Sequence, residues 1–225
     1  MPDIESLLKR SLEVFGNSDS YFVSGSLSFL PILNMYREPG HDVDLAVETV
    51  FFERQANQLP ADYEVKTRRL HELASVKESA FVRFFRFRTG WVHITVPEGL
   101  IDILRYRKCS DALVFELGAG LTLEIPRFVE ERMQLLDWRG IVYRAAPPEI
   151  AFLGLAAALH RPGPGGPKAK AVEDFRRLER VVDRDFVRAL AADGGLRLLG
   201  HRLPERIDPL ADLFKPIVHV RQVPS

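Results

Sequence analysis

The stretch that decides the fold is residues 21–48, YFVSGSLSFLPILNMYREPGHDVDLAVE. A short apolar run ends at Gly25 and Ser26, a helix-length apolar segment follows, and a Pro-Gly turn leads into DVDLAVE. Successive side chains of a strand point to opposite faces, so Asp42 and Asp44 project together while the apolar residues between them face a core. The stretch therefore predicts a strand, a turn that opens a helix, and a second strand with two carboxylates on one face.

The paired carboxylates indicate a metal site. Asp42 and Asp44 would repel each other on one exposed strand face unless a cation lay between them. Carboxylate oxygens are the ligands of hard divalent cations, and we expect Mg²⁺. Taken alone, an Asp-x-Asp pair is also compatible with an ordinary solvated strand face.

The Gly25-Ser26 step predicts phosphate binding. A strand that ends in glycine and opens a helix presents backbone N–H groups and the positive end of the helix dipole, both of which attract anions. Glycine lets the backbone approach the anion closely, and the Ser26 hydroxyl can add a hydrogen bond. A Gly-Ser pair alone is usually a turn, but a phosphate site followed by a metal-binding carboxylate pair is typical of a nucleotide-using site.

In this order and spacing, Gly25-Ser26, Arg37 and Asp42-x-Asp44 resemble the signature of the polymerase-β-like nucleotidyltransferase superfamily. The resemblance implies an α+β fold in which a mixed-sheet nucleotidyltransferase domain precedes a helical C-terminal part. It also implies a Mg²⁺-dependent transfer of a nucleoside monophosphate from a nucleoside triphosphate such as ATP to a hydroxyl. The acceptor stays open among a small molecule, a tRNA and a protein. Arg37 is equally compatible with a charged turn residue.

The resemblance implies a third acidic residue on a neighbouring strand. Asp102, in LIDIL, is the best candidate because the isoleucines beside it face a core and leave the carboxylate on the opposite face. It would complete the metal site or take the proton from the acceptor hydroxyl. The rival is His93, in WVHITV, but a hard cation prefers a carboxylate. Asp102 could otherwise be an edge-strand charge, and His93 a surface histidine.

The chain from PPEI onward resembles the helical segment of the abortive-infection toxin and antibiotic-adenylylating branches. Those relatives carry a lysine in the first helix and a Lys-Asp-x-x-Asp pattern in the second. Here Gly154 and Ala171 stand where the helix lysine and the first aspartate would be, whereas Lys170 and Asp174 remain as expected nucleotide-binding residues. These departures leave open a degenerate, non-catalytic module that binds a nucleotide or a partner.

Composition excludes several other classes of protein. The 225 residues include 31 basic and 31 acidic side chains, which gives a formal net charge of zero and disfavours binding to extended DNA or RNA. Cys109 is the only cysteine, so neither an internal disulfide nor a cysteine zinc cluster is possible. The longest clean apolar run, 150–159, is too short to span a bilayer. We therefore expect a soluble cytoplasmic protein without membrane contact.

The spacing of apolar residues predicts the helices and strands of the chain. We predict a nucleotidyltransferase-like mixed-sheet domain over residues 1–140 and a helical domain over residues 141–225. Helices are predicted over 5–15, 26–35, 50–58, 150–159 and 169–190. Strands are predicted over 21–24, 42–47, 81–88, 91–96, 100–105, 113–117 and 121–125.

Overall fold

The structure is a computed structural model, and it describes residues 4–16, 18–35, 42–59, 64–67, 91–118, 121–160, 169–198 and 201–202. The strand predicted over 81–88 and the predicted nucleotide-binding residue Arg37 lie outside these ranges. In the described part of the chain, no helix is both long enough and apolar enough to cross a membrane.

The described residues form five α-helices and eleven strands, with two short 3₁₀ segments. The helices are α1 (Ile4–Phe15), α2 (Thr49–Ala56), α3 (Pro148–His160), α4 (Ala169–Leu178) and α5 (Arg184–Asp193). Single 3₁₀ segments cover Gly25–Ser28 and Arg127–Arg132. The strands are β1 (Tyr21–Val23), β2 (Asp42–Glu48), β3 (Glu64–Thr67), β4 (Trp91–Val96), β5 (Gly99–Lys108), β6 (Ala112–Gly118), β7 (Leu121–Pro126), β8 (Gln134–Trp138), β9 (Ile141–Ala145), β10 (Gly195–Leu198) and β11 (His201–Arg202).

The strands form one mixed eleven-stranded sheet in the order β11-β10-β7-β6-β5-β2-β1-β9-β8, with β4 pairing with both β5 and β3. The β2–β5 and β1–β9 pairs are parallel, and the other pairs are antiparallel. Helices accompany this sheet, so the predicted α+β class is confirmed.

Each face of the sheet is covered by a separate apolar cluster. On β2, Val43 and Leu45 point to the face that packs against the buried Leu8 of α1. Ala46 points to the other face and belongs to a cluster with Leu153 of α3. Because side chains alternate along a strand, the face that carries Ala46 also carries the aspartates of β2. The face toward the C-terminal helices is therefore the one that holds the candidate site.

The helix predicted over 26–35 is wrong. Only Gly25–Ser28 forms a 3₁₀ segment, and turns continue from there to residue 34. Pro31 explains the interruption, because it has no N–H to donate to the carbonyl of Leu27 four residues earlier. That carbonyl instead accepts a hydrogen bond from the Tyr143 hydroxyl at 2.8 Å.

The single helix predicted over 169–190 is also wrong. α4 ends at Leu178, and α5 begins after Asp183, whose side chain accepts hydrogen bonds from the backbone N–H groups of Asp185 and Phe186. This is the geometry of a helix N-cap, which starts a new helix and allows the chain to change direction. Apolar periodicity alone did not reveal the cap.

Two hairpins also escaped the sequence analysis. β8 and β9 are joined by Arg139 and Gly140, both with positive φ, and β10 and β11 form an antiparallel pair beside β7. The Arg-Gly turn lacks the usual Asn-Gly or Asp-Gly signal of a two-residue hairpin. The sheet continues across residue 140 through β8 and β9, and the division of the chain there into two domains stays a prediction.

Candidate metal and nucleotide site

Three aspartates meet on one face of the sheet. β2 and β5 are parallel neighbours, and Asp44 of β2 lies opposite Asp102 of β5. Asp42 precedes Asp44 by two residues on β2, so the two side chains point to the same face. Each of the three offers a carboxylate oxygen, and these oxygens all lie within 4.8 Å of one another. The close approach of Asp102 to Asp44 that the sequence predicted is confirmed.

The carboxylates differ in their exposure to solvent. Asp102 is 1% exposed, whereas Asp42 and Asp44 are half-buried. Like charges this close repel each other more strongly where burial lowers the effective dielectric constant. A divalent cation between the oxygens would offset this repulsion, and a set of three carboxylate oxygens matches the preference of Mg²⁺. The residues present therefore fit a magnesium ion.

Gly25 packs directly on Asp44. Its backbone has φ +62°, and a Cβ atom at this position would lie 2.0 Å from Asp44 Oδ2. The preceding residue, Ser24, donates its backbone N–H to the Asp44 carbonyl at 2.9 Å. The chain that precedes the Gly-Ser turn is therefore held against the strand that carries the carboxylates. The Gly-Ser turn and the carboxylate pair, which the sequence analysis assigned to one nucleotide site, thus lie side by side.

The turn itself is short and is fixed by contacts from two sides. The Ser28 hydroxyl donates to the Gly25 carbonyl at 2.8 Å, and Tyr143 of β9 donates to the Leu27 carbonyl. A single 3₁₀ turn lacks the aligned peptides of a full helix, so the helix-dipole contribution expected from the sequence is not available. Backbone N–H groups and the hydroxyl of the half-buried Ser26 remain as the groups that would contact a phosphate.

The hydrogen bond from Tyr143 to the turn is a contact that the sequence analysis missed. Burial raises the pKa of the Tyr143 hydroxyl well above the ordinary value, and the nearby Asp137 carboxylate adds to the increase. The hydroxyl therefore stays protonated and continues to donate to the turn. Since 116 residues separate Tyr143 from Leu27 in sequence, no local pattern could have indicated this contact.

The rival third ligand, His93, lies in the same row of the sheet. The backbone register places His93 of β4 opposite Asp102 of β5, on the side away from Asp44. Asp102 is therefore the member of the row next to Asp44, which is the arrangement that the sequence analysis favoured.

The predicted C-terminal nucleotide-binding residues lie on α4. Lys170 is exposed in the first turn, and Asp174 is 3% exposed. α4 packs on α3 through the stacked rings of Phe175 and Phe152, whose centroids are 4.7 Å apart. Gly154 lies on an exposed side of α3, where an added Cβ atom would meet no other atom within 4 Å. The roles of Lys170 and Asp174 in nucleotide binding stay predictions.

Known proteins resemble this chain in structure rather than in sequence. No family model matches the sequence, and no curated protein matches it. Solved structures do match. A lincomycin-bound lincosamide antibiotic adenylyltransferase, LnuA, superposes with a TM-score of 0.51 at 11% identity, covering 79% of this chain and 98% of its own.

Two structures of ANT(2″)-Ia also match. A crystal structure in complex with adenylyl-2″-tobramycin has a TM-score of 0.51 at 14% identity, covering 84% of this chain and 96% of its own. A solution structure of this antibiotic-resistance factor has a TM-score of 0.53 at 13% identity, covering 85% of this chain and 91% of its own. The chain therefore has the fold of antibiotic nucleotidyltransferases, and the predicted resemblance in fold is confirmed.

Proposed function

We propose that this chain is a Mg²⁺-dependent nucleotidyltransferase, which moves a nucleoside monophosphate from a nucleoside triphosphate to a hydroxyl. One observation carries the proposal: Asp42, Asp44 and Asp102 converge within 4.8 Å beside the Gly25 turn. The fold neighbours, which include an adenylyltransferase, support transfer of a nucleotide as the reaction class. A cytoplasmic location belongs to the same proposal.

Asp42 and Asp44 would hold the metal, with Asp102 as the third ligand or as the general base, and the rest of the site would position the reactants. When bound, Mg²⁺ would neutralise the triphosphate and polarise its oxygens. In the transfer, the acceptor oxygen forms a bond to the α-phosphorus while the bond from that phosphorus to the pyrophosphate oxygen breaks. If Asp102 is not a metal ligand, it would take the proton of the hydroxyl, because it lies beside Asp42 and Asp44.

The remaining residues would bind the triphosphate. Ser26 and the backbone of the Gly25 turn would contact phosphate oxygens next to the carboxylates. Arg37 and Lys170 would supply positive charge, and Asp174 would orient the nucleotide or the lysine. The bound lincomycin and the adenylylated tobramycin of the fold neighbours support a small molecule as the acceptor. To test a tRNA or a protein as the acceptor, each would be assayed as a substrate of this enzyme.

The variant Asp44→Asn tests the proposal. We expect it to lower pyrophosphate release by at least about a hundredfold, because metal-borne stabilisation of the transition state contributes several kcal/mol. Asp111→Asn is the matched control, since Asp111 is exposed beside β6. Circular dichroism would establish that both variants are folded. Unchanged turnover in Asp44→Asn would remove Asp44 from the metal site and contradict the proposal.

Gly154 and Ala171 favour a second candidate, a non-catalytic nucleotide-binding module. Both candidates predict that Mg²⁺ with a triphosphate raises the melting temperature, because a ligand that binds the native state stabilises it by about 2.7 kcal/mol at a hundred times its Kd. Only the enzyme releases pyrophosphate. Pyrophosphate release, measured with ATP, GTP, CTP and UTP, each with Mg²⁺ and then with EDTA, therefore separates the two candidates.

A further inference from the structure

An apolar cavity of about 90 Å³ lies on the same face of the sheet as the aspartates. Ser24, Ala46 and Leu104 form its near side, and Ile125, Ala146 and Ile150 are among the residues that line the rest. Ala46 follows Asp44 by two residues on β2, and Leu104 follows Asp102 by two residues on β5. The cavity therefore begins at the next same-face position of both strands that carry the aspartates.

We propose that this cavity binds an apolar group of the acceptor substrate, so that the acceptor is an alcohol with a short hydrocarbon substituent. The inference rests on the proposed nucleotidyl transfer and specifies the substrate class. Same-face positions of a strand are about 7 Å apart, which sets the separation between the reacting hydroxyl and the apolar group. A cavity of about 150 Å³ holds benzene, so about 90 Å³ accommodates roughly four carbon atoms.

The lining decides against a nucleobase in the cavity. Apart from Ser24, every side chain that lines it is apolar. A base has ring nitrogens and exocyclic groups that lose their hydrogen bonds to water on burial, and this wall offers few replacements. A hydrocarbon has no hydrogen bonds to water to lose, and it gains van der Waals contact with the apolar wall. The apolar part of an acceptor is therefore the occupant that fits.

Binding can be measured independently of catalysis. In methyl-labelled protein, titration with 1-hexanol should shift the methyl resonances of Ile125 and Ile150 in a saturable way. Ile101 and Ile103 are internal controls, because they are fully buried in the cluster on the other face of the sheet. The variant Ala146→Val places two methyl groups in the cavity and should abolish the shifts. Ala46→Val fills it from β2 if the first variant fails to fold.

The chain length of a surrogate acceptor then tests the link to transfer. With Mg²⁺ and a triphosphate, 1-alkanols from methanol to octanol should differ in kcat/KM. The first five or so carbons would cross the roughly 7 Å from the aspartates to the cavity. Each further methylene that enters the cavity should then raise kcat/KM about fourfold. Ala146→Val should shorten the preferred alcohol, and Ile125→Val should lengthen it. General destabilisation would not move the preferred chain length of the alcohol in opposite directions in the two variants.

The outcomes separate this inference from the function on which it rests. If the protein transfers nucleotide but kcat/KM is the same for all alkanols, or if Ile125 and Ile150 do not shift, the acceptor inference fails and nucleotidyl transfer stands. If no triphosphate binds with Mg²⁺, the proposed function fails, and the acceptor assignment fails with it even where 1-hexanol enters the cavity.

Discussion

A Cβ atom at Gly25 would lie 2.0 Å from the Oδ2 atom of Asp44. Non-bonded heavy atoms of this kind do not approach so closely, so any side chain at position 25 must displace the carboxylate. The φ of +62° at Gly25 adds a second requirement that glycine alone meets without strain. The turn and the carboxylate strand are thus packed as one unit, and this contact explains the glycine more directly than phosphate binding does.

The first prediction compares Gly25→Ala with Gly16→Ala. Gly16 has φ +65° but no atom within 4 Å of a Cβ, so its replacement should cost only the conformational strain, about 1–2 kcal/mol. Gly25→Ala combines similar strain with a steric clash and should cost about 2–4 kcal/mol. Urea unfolding measures both free energies of unfolding. Only Gly25→Ala should abolish Mg²⁺-dependent nucleotide binding, and equal effects in the two variants would argue against the close contact.

The second prediction concerns the hydroxyl of Tyr143. Tyr143→Phe removes the hydrogen bond to the Leu27 carbonyl and leaves that carbonyl in a buried site, at a cost of about 1–3 kcal/mol. Tyr21→Phe removes a bond of similar length, 2.7 Å, to the Gly16 carbonyl. Both variants should lose stability, but only Tyr143→Phe should weaken nucleotide binding in a calorimetric titration. Unaltered affinity in Tyr143→Phe would show that the turn does not need this anchor.

The third prediction is a pH dependence at the start of α5. Hydrogen bonds from the backbone N–H of Phe186, with contributions from Arg132 and Asp185, hold the pKa of the Asp183 carboxyl below its ordinary value of 3.8. A lowered pKa in the folded state stabilises the protein above pH 3.8, and this contribution is lost as the pH falls through the folded-state pKa.

Asp183→Ala should therefore lower the melting temperature at pH 7, and the difference from the native protein should shrink below pH 3.8. Asp183→Asn is the control, because asparagine is also a good N-cap but carries no charge. It should retain most of the stability at pH 7 and lose the pH dependence. A difference between Asp183→Ala and the native protein that stayed constant down to pH 2 would contradict the assignment of the stabilisation to the ionised carboxyl.

The fourth prediction addresses Gly154, where the resemblance drawn from the sequence implies a lysine. Gly154 is exposed in α3 with open space around it, so Gly154→Ala should raise the free energy of unfolding by about 1 kcal/mol through helix propensity. Gly154→Lys should give a similar gain and, in addition, tighten triphosphate binding by severalfold. The alanine variant separates the two effects. If Gly154→Lys binds triphosphate no more tightly than Gly154→Ala, this position does not face the phosphates.

The shared face of the aspartates could be predicted from sequence because alternation along a strand is local. DVDLAVE and LIDIL each specify which side chains share a face, and the two faces coincide when β2 and β5 pair in register. The helix predicted over 26–35 could not be excluded in this way, because the apolar residues of this segment are compatible with a helix. The segment is interrupted at Pro31, which lacks the backbone N–H that a helix would need there.

The sequence by itself determined the mixed α+β composition, the strands that carry the carboxylates and the glycine that the site requires. Those properties depend on periodicity and on the backbone preferences of single residues. The sequence favoured Asp102 as the neighbour of the aspartate pair, but only the tertiary structure decided the register that sets it opposite Asp44. The tertiary structure alone also decided that Tyr143 anchors the turn and that an apolar cavity adjoins the aspartates. Each of these depends on strand register and on packing between residues far apart in the chain, and local patterns carry no information about either.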